Sequence, residues 1–491
     1  MNNDKALYEQ IDKFFHPKSV AIIGETRRSG FFWIRNLTSV NFMGKIYPIN
    51  PRYDSALGIK FYPSILEVPD EIDNAIIAVP RHLVLDAVGQ CIDKGVNICI
   101  IFSSGFSETG TSEGIKLENE LIEIIKGTKT RILGPNCLGF YCPESGISFR
   151  PDFPVQSGDV GFISQSGGNA ISLGLRCSTF RLYFSKMVSF GNAVDLTAAD
   201  FVRYFRMDKK TKILGMYIEG PKNGHNFFEA IRETTPHKPV IILKGGITER
   251  GAQAASSHTG AISSSIQIWN SMIKQSGAIP VYSFDELVES LLVFHYCPYP
   301  ASRNVGLLSV SGGSSVINTD ACVKVGLNVP KLSEKSITNL QKKVQPVGIN
   351  ITNPLDLASS YFDLIALKTA LSTLGEDENI DSIIIEVAIQ YIYMPNRFGI
   401  EDFPDIFYKT VLNEIRKLRK KSRFKKPILV AFPPTTFEEE RIWDRLRFIK
   451  RHIPAFHDVA SAARALSHLC WYKEYRDKMS NLIGINKNNV D

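Results

Sequence analysis

The segment Ala252–Ile262 carries one histidine, His258, among residues with small side chains. An imidazole can act as a nucleophile near neutral pH, and small neighbours leave it accessible to large or charged groups. The preceding stretch, Pro239–Lys244, is apolar and β-branched, which is typical of a buried parallel strand. We therefore expect His258 on a loop at the carboxyl edge of a sheet, where open α/β sheets bind ligands. A surface loop that happens to contain a histidine is the alternative.

A carboxylate is predicted at the same edge of the sheet. Glu219 directly follows Lys212–Ile218, which also reads as a buried strand. A glutamate beside His258 could fix the imidazole tautomer through one ring nitrogen and leave the other free to attack. A solvated glutamate at a strand end is the alternative.

Two Ser-Gly-Gly segments follow predicted strands and open predicted helices. Ser166-Gly167-Gly168 follows Asp159–Ile163, and Ser311-Gly312-Gly313 follows Val305–Val310. The first N–H groups of a helix have no partner within it, so the segment at Ser166 is a candidate anion site, and the segment at Ser311 repeats it in type and position. An ordinary serine N-cap is the alternative for Ser166.

A further glycine-bounded turn, Gly24–Gly30, lies between the apolar strand Ser19–Gly24 and a predicted helix. Its spacing is not GxGxxG, so it does not support a dinucleotide fingerprint. The turn still offers backbone N–H groups and a positive helix end to an anion, and Arg27 and Arg28 add charge for phosphates.

Strands that alternate with helices and end in Gly, Pro, Ser or Asn predict an α/β protein with parallel sheets. The 491 residues suggest about three domains, each doubly wound. We expect a Rossmann-like domain over residues 1–145, flavodoxin-like domains over 146–300 and 301–480, and a tail over 481–491. The repeated Ser-Gly-Gly pattern suggests that the second and third domains are copies of one unit.

Composition excludes several classes of protein. The net charge of +7 is mild and suits a protein that handles anions, but it does not indicate nucleic-acid binding. The basic run Arg416–Lys426 is more typical of a solvated helix face. The apolar runs are too short to cross a bilayer, and the N-terminus has no signal-peptide pattern. Eight cysteines without CxxC pairs suggest reduced thiols and a cytoplasmic protein, with no metal site expected.

With these features in order, the chain resembles the α subunit of the ADP-forming (NDP-forming) acyl-CoA synthetases, relatives of the succinyl-CoA synthetase α subunit. The resemblance covers roughly residues 10–475. Its motifs are, in chain order, Ser19–Gly24, Arg35–Leu37, Gly44–Arg52, Ala78–Pro80, Ser104–Glu108, Gly134–Gly139, Ile163–Gly167, Ser189–Asn192, Tyr217–Gly220 and Ser257–Ala261.

The resemblance implies a CoA-binding first domain and a second domain whose histidine becomes phosphorylated. It makes His258 the phosphohistidine and Glu219 its supporting carboxylate. It also implies that Ser166, Gly167 and Gly168 receive phosphate at a helix end. The implied CoA contacts are Gly24, Thr26, Arg27, Arg52, Pro80, Ser104, Gly105 and Asn136.

The chain shows neither a P-loop GxxxxGK[ST] nor a recognisable ATP-grasp segment. In the family, an ATP-grasp part, fused or on a separate β subunit, binds ADP or ATP and Mg²⁺. The resemblance therefore implies a carboxylate–CoA ligase that needs a β subunit, in an α2β2 assembly. A nucleotide-independent CoA-transferase or thioester enzyme, or a non-catalytic acyl-CoA-binding protein, are the alternatives.

The chain departs from the family pattern at four places. Glu25 begins the first turn where an alanine is usual, and Arg81 follows Pro80 where a small residue is common. Asn169 stands where leucine is frequent, and Ile262–Ser265 replaces the usual residues after the histidine.

Overall fold

The computed structural model describes residues 2–259, 265–344, 350–395, 399 and 402–483. The chain divides between Leu287 and Val288 into two compact units. Each unit has its own buried apolar core around predominantly parallel β-structure, with two large sheets in the first unit and one in the second.

The first unit begins with a five-stranded parallel sheet in the order β2-β1-β5-β6-β7. Its buried strands are runs of Ile, Val and Ala, as expected for strands covered on both faces. The elements of this region are α1 Asn2–Phe15, β1 Ser19–Ile23, α2 Phe32–Ser39, β2 Lys45–Ile49, β3 Ser55–Ala56, β4 Ile59–Lys60, β5 Asn74–Ile77, α3 Val84–Lys94, β6 Ile98–Ile101, α4 Ser112–Ile125 and β7 Arg131–Leu133.

A six-stranded sheet follows in the same unit, with the order β13-β12-β11-β9-β10-β8. All its strands are parallel except β8, which pairs antiparallel with β10 at the edge. The elements are β8 Gly139–Tyr141, β9 Val160–Ser164, α5 Gly167–Thr179, β10 Phe184–Ser189, α6 Ala198–Met207, β11 Ile213–Ile218, α7 Gly224–Thr234, β12 Val240–Lys244, α8 Glu249–Thr259, α9 Ile266–Ser276 and β13 Ile279–Val281.

The N-terminal helix α1 packs against α6 of this second sheet. The Tyr204 ring stacks on Tyr8 and on Phe15, with centroids 5.2 Å apart in each pair, and its hydroxyl donates to Asp12 at 2.8 Å. Strand β8 is therefore part of the second sheet and α1 packs beside it, although both lie within the first predicted domain. The domain boundary near residue 145 stays a prediction.

The second unit holds a five-stranded parallel sheet in the order β15-β14-β16-β17-β18. The helix that leads into it, α10 Phe284–Tyr296, begins in the first unit. The remaining elements are β14 Val305–Ser309, α11 Gly312–Lys324, α12 Glu334–Lys343, β15 Leu355–Asp356, α13 Leu364–Glu376, β16 Ser382–Glu386, α14 Ile389–Ile392, α15 Phe403–Lys420, β17 Ile428–Ala431, α16 Glu438–Ile449, β18 Ala455–Phe456 and α17 Val459–Ile483.

The α/β fold class predicted from the sequence is confirmed by these sheets and the helices between their strands. The two Ser-Gly-Gly segments also fold alike, because Ser166 caps α5 after β9 and Ser311 caps α11 after β14.

All eight cysteines are free thiols. Among the helices of the described ranges, none combines the length and the apolar composition needed to span a bilayer.

Candidate functional site

The predicted CoA contacts lie at the carboxyl edge of the first sheet. Gly24 follows β1, Pro80 follows β5, and Asn136 follows β7. Because these strands are parallel, their ends meet at one edge, which is the ligand-binding edge of open α/β sheets. The remaining contacts follow β1, β2 and β6 in the same way, and all of the contacts are exposed or half-buried. These remaining residues are Thr26, Arg27, Arg52, Ser104 and Gly105.

Two of these positions require glycine. Gly24 has φ +98°, and a Cβ there would lie 2.6 Å from the Ala78 carbonyl oxygen. Gly105 has φ +106°, and a Cβ there would lie 2.7 Å from Cδ of Arg81. The Arg81 guanidinium also forms an ion pair with Glu113 at 2.7 Å. Arg81, which stands where the family commonly has a small residue, therefore lies over the Gly105 turn.

The first turn differs from the expectation that it offers free helix amides to an anion. Glu25 is buried, and its carboxylate accepts the N–H groups of Trp33 at 2.7 Å and Ile34 at 3.0 Å. The Ser29 hydroxyl donates to the same carboxylate at 2.8 Å. The expectation was wrong because this carboxylate already satisfies the first N–H groups of α2 and brings a negative charge to the helix end.

The positive charge at this turn instead comes from side chains. Arg27, Arg28 and Arg52 are exposed beside it. The Arg27 backbone N–H donates to the Tyr53 hydroxyl at 3.2 Å, which ties the turn to the segment after β2. Guanidinium groups can hold phosphate in a bidentate manner, so these arginines remain suitable for an anionic ligand.

The predicted phosphate-binding helix lies next to a predicted CoA contact. Ser166 is the N-cap of α5, and its hydroxyl accepts the Asn169 N–H at 3.4 Å. Gly168 has open space where a side chain would stand. A cavity of about 230 Å³ is lined by Ser166, Gly167 and Gly168 together with Asn136. Because first-turn N–H groups have no partner within a helix, this cavity presents donors to an anion.

Glu219 directly follows β11, as expected, and its surroundings hold it in place. Gln165 accepts the N–H groups of Glu219 and Gly220 with one side-chain oxygen, at 2.8 and 3.1 Å. The Tyr217 hydroxyl donates to the Glu219 carboxylate at 3.1 Å. Burial, and then the charge of Glu219, raise the pKa of Tyr217, so this hydroxyl remains a donor at neutral pH.

Lys244 is a further residue at this edge that sequence reasoning missed. Its ammonium donates to the carbonyl oxygens of Glu219 and Gly245, both at 2.5 Å, and lies 5.4 Å from the centroid of the Trp269 ring. Burial lowers the pKa of Lys244. A lysine at the last position of an otherwise apolar strand was the available signal.

The segment with His258 forms a helix rather than the predicted loop. Helix α8 extends from Glu249 to Thr259, and it lies against the Ser107–Thr109 turn that follows the predicted CoA contacts Ser104 and Gly105. The alanines that suggested an open loop also have the highest helix propensity. The side chain of His258 and residues 260–264 lie outside the described part of the chain.

Two buried carboxylates, Glu108 and Glu118, connect the Gly105 turn to the second sheet, and the sequence alone did not mark either as a site residue. Glu108 accepts the N–H groups of Gly105 at 2.6 Å and Phe106 at 3.1 Å. The Asn192 amide donates to Glu108 at 2.7 Å and to Glu118 at 2.9 Å. This network fixes the turn that carries the predicted CoA contacts onto the second sheet. Glu108 and Asn192 both stood inside motifs of the resemblance, which was the available signal.

The Ser311 helix end in the second unit has a different environment. Glu386, the last residue of β16, is buried, and its carboxylate accepts the Val310 N–H at 3.3 Å and the Asn318 amide at 3.0 Å. Burial raises the pKa of Glu386.

Within the described residues of either unit, no three His, Cys, Asp or Glu side chains are grouped as metal ligands.

The sequence matches two protein families over most of the first unit. Residues 18–143 match the CoA-binding domain family, and residues 157–294 match the family described as the succinyl-CoA ligase like flavodoxin domain. These matches cover the two sheets whose edges carry the residues described above.

The chain is also similar to curated proteins over nearly its whole length. It is 34% identical to acetate–CoA ligase [ADP-forming] II subunit alpha of Pyrococcus furiosus, over 93% of this chain and 97% of that protein. It is 33% identical to the type I subunit alpha of the same organism, over 95% of this chain and 99% of that protein. The acetate–CoA ligase [ADP-forming] of Methanocaldococcus jannaschii is 40% identical over 70% of this chain, which spans 48% of that longer protein.

Among solved structures, the dinucleotide forming acetyl-coenzyme A synthetase 1 of Ca. Korarchaeum cryptofilum, in complex with phosphate and ADP, superposes with a TM-score of 0.83. The two sequences are 28% identical, and the match covers 97% of this chain and 99% of that one. The chain belongs to the family of the ADP-forming acyl-CoA synthetases, as a protein of the α-subunit type.

Proposed function

We propose that this chain is the α subunit of an ADP-forming carboxylate–CoA ligase. The enzyme converts acyl-CoA, ADP and phosphate reversibly into a carboxylic acid, CoA and ATP. One observation carries this proposal: Asn136, at the sheet edge where CoA is proposed to bind, and the α5 helix end at Ser166–Gly168 line the same cavity. Phosphate at this helix end would lie beside the thioester of a CoA derivative.

The first step is the attack of a phosphate oxygen on the thioester carbon. The carbon–sulfur bond breaks, the thiolate takes a proton, and acyl phosphate remains. The N–H groups at Gly167 and Gly168 stabilise the negative charge that develops during this step. CoA is held by residues at the first sheet edge, and its phosphates by Arg27 and Arg52.

The second step transfers the phosphoryl group to His258. A neutral imidazole nitrogen attacks the phosphorus, the phosphorus–oxygen bond to the acyl group breaks, and the carboxylate leaves. Glu219 accepts a hydrogen bond from the N–H of the other ring nitrogen and so stabilises the phosphoimidazole. Helix α8 lies against the Ser107–Thr109 turn, which supports a short path from the acyl phosphate to His258.

The third step transfers the phosphoryl group from His258 to ADP and forms ATP. We assign ADP and Mg²⁺ to a separate ATP-grasp β subunit, in a cytoplasmic α2β2 assembly. The α-subunit naming of two relatives that match this chain end to end supports a separate partner.

Labelling with radioactive phosphate tests the proposal on this chain alone. We expect acetyl-CoA and [³²P]phosphate to label the protein in an acid-labile, base-stable form, and His258→Ala to abolish the label. His225→Ala is the matched control, because His225 is exposed on α7 and has no assigned role. Label that persists in His258→Ala would contradict the assignment.

The β subunit and [γ-³²P]ATP provide the reverse reaction. The same histidine should be labelled from ATP, and the label should be lost when CoA and a carboxylic acid are added. Binding of CoA without label from either direction would instead favour a CoA-transferase or a non-catalytic acyl-CoA-binding protein.

A further inference from the structure

Helix α16 carries an exposed apolar patch at the surface of the second unit. Trp443 is 65% exposed and Ile442 is 49% exposed. Glu439 is also exposed and lies one turn before Trp443, on the same face of the helix. Among the described residues it has no ion-pair partner, whereas Glu438 is paired with Arg441. We name Glu439, Ile442 and Trp443 the α16 patch, which combines a negative charge with a large apolar surface.

A groove of about 450 Å³ between α13 and α15 has the opposite charge. Four cations line it, none of which forms an ion pair with any residue that the structure describes. They are Lys368 of α13 and Lys409, Arg416 and Lys420 of α15. Among the described lining residues the one carboxylate is that of Glu414, and it is already paired with Lys417 at 3.0 Å. The groove therefore has an excess of positive charge.

The groove becomes apolar toward the N-terminal ends of its two helices. Glu376, at the end of α13, pairs with Lys421, directly after α15, so the two packed helices run in the same direction. Ile406, which is 44% exposed, lines the opposite end of the groove. Ile365, which is 66% exposed, lies one turn before Lys368 on α13 and therefore on the same face as that lysine. The groove thus offers two isoleucines and then a row of cations.

The α16 patch has the matching order of groups. Glu439 and Trp443 stand one turn apart on α16, as Ile406 and Lys409 do on α15, so both spacings are about 5 Å along the helix axis. If the two helices lie antiparallel, Trp443 packs on Ile406 while Glu439 reaches Lys409. Tryptophan is among the residue types that dominate the binding energy at the centres of interfaces, and opposite charges beside it fix the orientation.

A second copy of the chain can supply the patch, because patch and groove lie on the same side of the second unit. Helix α15 connects β16 to β17, and α16 connects β17 to β18, in a sheet where these strands are consecutive. Right-handed crossovers place both helices on one face of that sheet. Asp405 of α15 and Arg447 of α16 form an ion pair at 2.6 Å. A twofold axis therefore brings each patch onto the groove of the other copy and forms the contact twice.

We propose that two copies of this chain associate through their second units, with the α16 patch of each copy in the α13–α15 groove of the other. The association requires neither CoA nor phosphate, so it is independent of the proposed chemistry. In the proposed α2β2 assembly, it would be the contact between the two α subunits.

Sedimentation velocity of the full-length chain without a partner subunit tests the proposal. At about 50 µM the chain should sediment as a dimer, as expected for a micromolar dissociation constant. Trp443→Glu should make it a monomer at this concentration, because a charge replaces the central apolar group. Tyr282→Glu is the matched control and should remain a dimer, since Tyr282 is an aromatic residue that is 61% exposed in the first unit.

Two charge reversals test the pairing itself. Lys409→Glu and Glu439→Lys should each weaken the dimer about tenfold at low ionic strength. An equimolar mixture of these two variants should dimerise about as tightly as the original chain, because both contacts of the mixed dimer then join opposite charges. Each substituted side chain is exposed, so the unfolding transition followed by circular dichroism should not change.

A chain that is monomeric at the stated concentration, a dimer that Trp443→Glu leaves intact, or a mixture that stays monomeric would overturn the proposal. Binding of a β subunit that Lys409→Glu abolishes would also overturn it, since the groove would then belong to that partner. Labelling of His258 from acetyl-CoA and phosphate should be the same in every variant. Loss of the dimer and failure of the proposed function are therefore measured separately.

Discussion

A single side-chain oxygen of Gln165 accepts the backbone N–H groups of both Glu219 and Gly220, at 2.8 and 3.1 Å. The residue that precedes the α5 N-cap thereby positions the carboxylate proposed to support His258. We expect Gln165→Ala to lower the rate of His258 phosphorylation by about tenfold, because two partly buried N–H groups lose their acceptor and Glu219 shifts. Affinity for CoA should remain within twofold, as measured by calorimetry. Gln275→Ala, at an exposed position on α9, is the control.

Gly245 allows Tyr217 and Glu219 to lie where they do. A Cβ at this position would stand 2.7 Å from the Tyr217 hydroxyl and 3.1 Å from Cγ of Glu219. Gly245→Ala should therefore displace both side chains and slow phosphoryl transfer from acetyl-CoA and phosphate, while CoA still binds. In Gly89→Ala, the added methyl group of α3 meets open space, and this variant should retain full labelling. Normal labelling of Gly245→Ala would contradict the role of Glu219.

The buried carboxylate of Glu25 stabilises the start of α2. Glu25→Ala would leave two buried N–H groups of that helix without their acceptor, and we expect the free energy of unfolding to fall by about 2–4 kcal/mol. Urea titration measures the change. Glu123→Ala removes an exposed ion pair with Lys126 on α4, and it should change the stability by no more than about 0.5 kcal/mol.

Lys186 and Asp208 form a buried ion pair at 3.1 Å, with side chains only 3% and 5% exposed. Burial raises the pKa of Asp208, but hydrogen bonding by Thr211 and the charge of Lys186 hold it below its usual value. Lys186→Met should lower the free energy of unfolding by about 3–5 kcal/mol, because the buried Asp208 carboxylate loses its ion-pair partner. The double variant Lys186→Met, Asp208→Asn should recover part of this loss, and a double variant as unstable as the single one would count against the explanation.

His468 makes the stability of the second unit sensitive to acid. Its Nδ1 lies 2.9 Å from the Ser290 hydroxyl, and burial, followed by the charge of Arg464, lowers the pKa of the imidazole to about 4. Between this value and the unfolded pKa of about 6.5, the unfolded chain binds more protons, so stability falls as the pH decreases. We expect a loss of about 1–2 kcal/mol from pH 7 to pH 5. The loss should disappear in His468→Gln, and urea titrations at both pH values measure it.

Strands β1, β9, β11, β12 and β14 could be predicted because their residues are short apolar runs that end in turn-forming residues. Strands β8, β10 and β13 of the second sheet were not predicted. The position of Glu219 after β11 and the capping role of Ser166 followed from the same pattern. Both depend on residues that are neighbours in the sequence, so local reasoning was sufficient.

Two features could not be predicted in this way: the hydrogen bonds from the first turn of α2 to Glu25, and the network around Asn192. Glu25 reaches the helix only because the intervening turn folds back, with Phe31 in a left-handed conformation at φ 54°. Asn192 meets Glu108 and Glu118 across long stretches of sequence that only the folded sheets bring together. The helix at His258 was missed for another reason, since small side chains were interpreted as accessibility while their helix propensity was not weighed.

The antiparallel strand β8 has a consequence for any attempt to divide this protein. Met187, Val188 and Ser189 of β10 pair with Tyr141, Phe140 and Gly139. Removal of the N-terminal fragment, by proteolysis or by separate expression, would remove β8. The backbone of the apolar strand β10 would then be exposed to solvent along that edge. An open edge of that kind invites association with other chains, so the remainder would aggregate rather than survive as a soluble piece.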